Sequence, residues 1–142
     1  MKIIGFKEIN KKIIKVKKGD ILKYLSKKDK FFSGFGEVYF SEIKKNKTKG
    51  WNLHKKNTCI LSVPFGSVVF NFIDGRINKK THKNVKKVVL SKKNFKIIVV
   101  PPGVWFSFKS LTHISIVANC INKVHSDQET LKSDKVNNIK IK

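Results

Sequence analysis

Apolar residues in this chain come in short runs, separated by turn-forming residues at close intervals. "IIKV" (residues 13–16) leads through "KKGD" into "ILKYLS", the pattern of a hairpin with Gly19 and Asp20 in its turn. "GEVYFSEI", "WNLH", "CILSV" and "SVVFNFI" follow, the last two divided by Pro64 and Gly66. "KKVVL", "FKIIVV", "VWFSF" and "HISIVANC" complete the series. Side chains alternate across a strand, so Val68, Phe70 and Phe72 share one face and Val69, Asn71 and Ile73 the other. Before the C-terminal residues no stretch sustains a helical period. Many short strands in one domain predict an all-β sandwich or jelly roll. The predicted domain spans residues 1–125, and 126–142 read as a polar, lysine-rich C-terminal tail.

Composition adds a core and a compartment. A chain of 142 residues forms one domain that buries about two-thirds of the surface its unfolded form exposes. Two cysteines, Cys59 and Cys120, are too few for a disulfide framework, and both lie in apolar runs where a free thiol packs as a small hydrophobe. That usage predicts a cytoplasmic protein. "MKIIGFKEINKK" is too soon interrupted by charge for a secretory leader, and no run approaches a membrane span of about 20 apolar residues.

The net charge is +23, and of the 32 basic residues only Arg76 is an arginine. Nucleic-acid binders draw on arginine for bidentate contacts to phosphate and guanine. An excess made of lysine reads first as a solvated surface, and a basic nucleic-acid-binding protein is the minor alternative. Either way the field attracts anions, phosphorylated small molecules among them.

The order of motifs narrows the class. "GFGEVYFSEI", "GWNLHKKNT", "SVPFG", "PPGVWFSF" and "SIVANC" resemble cupins related to dTDP-4-dehydrorhamnose 3,5-epimerase, in particular a short-chain branch with a Trp-x-x-His-Lys-Lys strand. The resemblance covers most of residues 19–127. It implies a cupin-type jelly-roll barrel, a homodimer, and a cleft for a nucleotide-linked 4-keto-6-deoxy sugar in surface-polysaccharide biosynthesis. The implied reaction is an epimerisation or ketoisomerisation without a cofactor. A cupin that keeps only sugar or nucleotide recognition is the alternative.

Moving a stereocentre beside a ketone takes a base for the α-proton, a stabiliser for the enolate and an acid for the proton's return. In the epimerases the resemblance assigns these to a histidine in an Arg-Gly-x-His strand, a following lysine and a late tyrosine. Matched on Gly50, this chain has Lys49 at the arginine, Asn52 at the base and Cys59 near the lysine. The late tyrosine falls in "INKVHSD", where His125 is the nearest proton-transfer group, and Phe106 replaces a loop histidine. The related ketoisomerases carry His-x-His on this strand, with the second histidine at the level of His54.

Asn52 and His54 lie one pleat apart, ~7 Å, on the same strand face. The expected base is therefore His54, with Asn52 orienting substrate and His125 as the second proton-transfer group. Lys49, Trp51, Lys56 and Trp105 are the further candidates for substrate contact. With the His-x-His pair broken and no glutamate after it, no metal site is expected.

Overall fold

A computed structural model describes residues 1–134, and among them there is no helix. Twelve strands are formed: β1 (Lys7–Asn10), β2 (Ile13–Ile14), β3 (Ile21–Leu22), β4 (Glu37–Lys44), β5 (Thr48–His54), β6 (Cys59–Phe65), β7 (Ser67–Asp74), β8 (Val85–Ser91), β9 (Lys96–Val100), β10 (Val104–Ser110), β11 (Ile114–Ile121) and β12 (Thr130–Lys132). Two five-stranded antiparallel sheets face each other, in the orders β1-β9-β6-β11-β4 and β12-β5-β10-β7-β8. This is the expected all-β jelly roll. The hairpin around Gly19 and Asp20 is present, pairing Ile13 with Leu22 and Ile14 with Ile21.

Period-2 alternation builds the interior. Val68, Phe70 and Phe72 of β7, with Val104, Phe106 and Phe108 of β10, meet Cys59, Leu61 and Val63 of β6 and Val117 and Ile121 of β11. Phe70 stacks on Phe72 at 5.9 Å and tilts against Phe108 at 5.6 Å, so one aromatic layer spans two strands. A smaller cluster covers the outer face of the first sheet. There Ile60, Ile97, Val99 and Cys120 lie beneath Tyr24, Leu25, Phe31 and Phe32, and the Tyr24 hydroxyl donates to the Ile60 carbonyl.

Two strands carry little apolar signal. "KEIN" becomes β1 by pairing with β9, and "TLK" becomes β12 by pairing with β5. Edge strands need one partner and one buried face, so their own pattern is weak. β12 lies beyond the boundary drawn at residue 125. Residues 126–134 are tied to the barrel through a paired strand, while 135–142 of the expected tail lie outside the described residues.

The irregularity that shapes the site is in β5. Phe106 and Phe108 of β10, two residues apart, sit opposite Asn52 and Lys49, which are three apart. One extra residue on β5 is a β-bulge, and it reverses the inside–outside phase. Lys49 thereby shares the inner face with Asn52 and His54. Gly50 permits this. Its φ is +108°, and a Cβ there would lie 2.7 Å from the Phe106 carbonyl oxygen and 2.9 Å from Ser107 Cα. Gly50→Ala is expected to destabilise the fold by about 2–4 kcal/mol, through strained φ and a clash with backbone that cannot yield. Urea unfolding checks this; an unchanged midpoint would count against the bulge.

Candidate active site

Between the sheets lies a cavity of about 150 Å³. Its floor is apolar, from Leu61, Phe106, Phe108 and Val117. Its polar groups come from both sheets: Asn52 and His54 from β5, Tyr39 and Ser41 from β4, and Asn119 from β11. Lys49 and Lys132 stand at its exposed edge.

His54 is 5% exposed. Its Nδ1 lies 2.7 Å from Glu129 Oε2, and Glu129 comes from the segment just before β12. The carboxylate is well held, since Oε1 accepts from the amides of Asn57 (2.9 Å) and Lys56 (3.1 Å). Burial pushes the carboxyl upward. The two amides and the imidazole outweigh it and hold Glu129 below the ordinary 4.5. An ionised carboxylate only accepts, so Nδ1 carries the proton and donates to Glu129. In the neutral imidazole the lone pair is then on Nε2. The geometry is that of a base oriented by a third group.

The opposite wall carries Tyr39. Its hydroxyl oxygen accepts from Asn119 Nδ2 at 2.9 Å, so its own hydrogen is free to donate. Burial pushes the phenol up to about 12, with only the Asn119 bond opposing, and Tyr39 stays protonated. Cys59 is fully buried in the core, and burial raises its thiol to about 12 as well. It is a neutral packing residue.

Four of the seven sequence candidates come together here: Lys49, Asn52, His54 and His125. Lys49 Nζ donates to Ser41 Oγ at 2.8 Å. His125 enters from the first sheet's side, its amide donating to Glu37 Oε2 at 3.0 Å and its Nε2 3.3 Å from Asp127 Oδ1. The other three do not line this cavity. Trp51 and Trp105 each neighbour an inward residue, Asn52 or Phe106, so alternation turns both outward; Trp105 packs on Gly75. Lys56 lies in the turn after β5, on a separate surface hollow with Lys55 and Lys123. Sequence reasoning missed Glu129 and Tyr39. Tyr39 was legible as one face of a strand, whereas Glu129 stands 75 residues from His54 in a segment with no apolar pattern. Among the described residues, no three histidine, cysteine, aspartate or glutamate side chains group as metal ligands would.

No model of a known protein family matches the sequence, and no curated protein matches it. Solved structures do. A dTDP sugar isomerase from Desulfovibrio desulfuricans superposes with a TM-score of 0.90 at 29% identity, over 92% of this chain and 85% of that one. The dTDP-6-deoxy-D-glucose-3,5-epimerase of Legionella pneumophila, solved with dTDP-4-keto-L-rhamnose, gives 0.84 at 20% identity, over 93% and 74%. The 3'-monoepimerase ChmJ of Streptomyces bikiniensis, solved with dTDP-quinovose, gives 0.85 at 13% identity, over 93% and 71%. At these last two identities the likeness is one of fold.

The Glu129 link generates a pH prediction. A carboxyl with a lowered folded pKa adds stability above its unfolded value and loses it as pH falls through the folded one. Glu129→Gln is expected to cost about 1–3 kcal/mol at pH 7. The gap from wild type should close as pH drops below the ordinary 4.5. Thermal melts of both proteins from pH 7 to pH 3 test it; a gap independent of pH would contradict the ionised link.

Proposed function

We propose that this chain, a jelly roll of the dTDP-sugar isomerase and epimerase kind, is an isomerase acting on a nucleotide-linked 4-keto-6-deoxy sugar. The observation that carries the reading is the His54–Glu129 pair, in which the carboxylate holds Nδ1 of a histidine that lines a cavity between the sheets. Epimerisation and ketoisomerisation begin alike, with removal of a proton beside the ketone, and this arrangement serves either. His54 replaces the base missing at Asn52, one pleat along the same strand face.

His54 takes the α-proton, and Glu129 stabilises the imidazolium that forms. His125, held to β4 across the cavity, returns a proton from the other side. Asn52 orients the sugar. Lys49 and Lys132 at the exposed edge meet the diphosphate, and Lys56 extends the positive field beyond it. Lysines occur on strands of both sheets, Lys44 and Lys96 on one, Lys86 and Lys109 on the other. That spread favours a solvated surface over a nucleic-acid footprint. A cytoplasmic setting suits the two free thiols, and a place in surface-polysaccharide biosynthesis follows from the resemblance.

The reading includes a homodimer. On the outer face of the first sheet, Val38, Phe40 and Phe65 are 43%, 69% and 60% exposed, beside Phe35 at 70%. β4 and β6, the two neighbours of β11, carry them, since Phe40 pairs with Ala118 and Phe65 with Ile116. A patch of this kind is one a second copy covers. Sedimentation is expected to give a dimer at micromolar concentration and a monomer for Phe40→Asp. A monomeric wild type would remove the dimer.

Deuterium wash-in tests the chemistry. Candidate dTDP-4-keto sugars incubated in heavy water should gain deuterium beside the ketone. His54→Asn, with folding checked separately, should lower the exchange by roughly two to four orders of magnitude. Asn52→Ala should raise KM more than it lowers kcat. Binding of the sugars without exchange by wild type would favour the recognition-only cupin.

A further inference from the structure

Removing the α-proton leaves a negative charge on the carbonyl oxygen, and a site for this reaction needs a donor aimed there. Cys59 cannot supply it, being buried and neutral. Lys49 is engaged by Ser41, and both Lys49 and Lys132 stand at the solvent edge. Two hydroxyls of β4 remain in the cavity wall facing His54: Ser41, whose oxygen Lys49 ties to the exposed edge, and Tyr39. Its oxygen is fixed by Asn119 Nδ2, so its hydrogen has no partner among the described residues. The side chain that holds this oxygen is itself fixed in the interior. Asn119 is 3% exposed, and its Oδ1 is buried without a hydrogen-bond partner among the described residues.

We propose that the Tyr39 hydroxyl, positioned by Asn119, is the oxyanion donor of this site. It hydrogen-bonds the ketone oxygen and strengthens that bond as the enolate forms. In the step, the α C–H bond breaks and its proton passes to His54 Nε2. The electron pair becomes the C=C bond of the enolate, and the carbonyl π pair moves onto oxygen. Tyr39 keeps its proton throughout. A phenol that resists ionisation does this without being consumed, and neutral donors in water-poor sites stabilise oxyanions well.

The inference rests on the isomerase reading, and one experiment separates the two. Deuterium exchange and net isomerisation are measured together at saturating dTDP-4-keto sugar, for wild type and Tyr39→Phe. An oxyanion donor predicts that Tyr39→Phe loses both by about 100- to 1000-fold, with dTDP affinity unchanged within about threefold. Were Tyr39 the acid that reprotonates the far face, exchange through His54 would persist while product vanished, and the inference would fall. Undiminished exchange and product in Tyr39→Phe would also overturn it, leaving the isomerase reading intact. No exchange by wild type would remove both.

A graded readout guards against a merely structural effect. The chain has two tyrosines, so in a Tyr24→Phe background fluorotyrosine can be placed at position 39 alone. A more acidic phenol makes a stronger donor, and the exchange rate should rise with ring fluorination. A rate indifferent to fluorination would contradict donation to the oxyanion. Asn119→Leu, which frees the phenol to rotate, is expected to lower exchange at least tenfold while Tyr39 remains in place; wild-type exchange there would show that Asn119 does not position it.

Discussion

A carboxylate with a tenth of its side chain exposed must be satisfied on every side, and Glu129 meets that demand through three donors. Two are amides of the turn that ends β5, and the third is the imidazole of His54. This arrangement does several things at once. It selects the tautomer of His54, it anchors the segment before β12, and it lets β12 add to β5 as an edge strand. Remove the carboxylate and the base loses its orientation while the sheet loses the tie that holds its last strand.

The two faces of the cavity are then built on different principles. On the His54 side, charge is paired and oriented. On the Tyr39 side, the polar groups are neutral, and burial keeps them so. Such a division suits proton abstraction followed by charge build-up on oxygen, because a base and a neutral donor need not compete for a proton. The lysines contribute from the rim, where a flexible ammonium meets a phosphate without being desolvated.

A bulge of one residue does as much as any side chain. Regular alternation along β5 would turn Lys49 outward, and Gly50 tolerates both the positive φ and the close approach of β10 that reverse it. The cost is a glycine in mid-strand, offset by the aromatic layer of Phe70, Phe72, Phe106 and Phe108 behind it.

Local alternation made ten of the twelve strands and the hairpin at Gly19 legible, with β10 and β11 marked by their own apolar runs, because a strand buried on one face must repeat every second residue. The same rule put Asn52 and His54 together, and the motif order led to the jelly roll. β1 and β12 were not legible, since edge pairing is decided by the neighbour that offers an open ladder. Trp51 and Trp105 read as substrate-contact candidates, yet their phase in the strand turns them away from the cavity. Glu129 was beyond reach for a different reason. A carboxylate in a polar segment has no periodic signature, and only closure of the barrel brings it to His54 across 75 residues. The sequence by itself determined an interior of alternating apolar residues and a histidine on its polar edge. The tertiary structure decided which carboxylate orients that histidine and which phenol faces it, because long-range contacts depend on strand register and sheet closure.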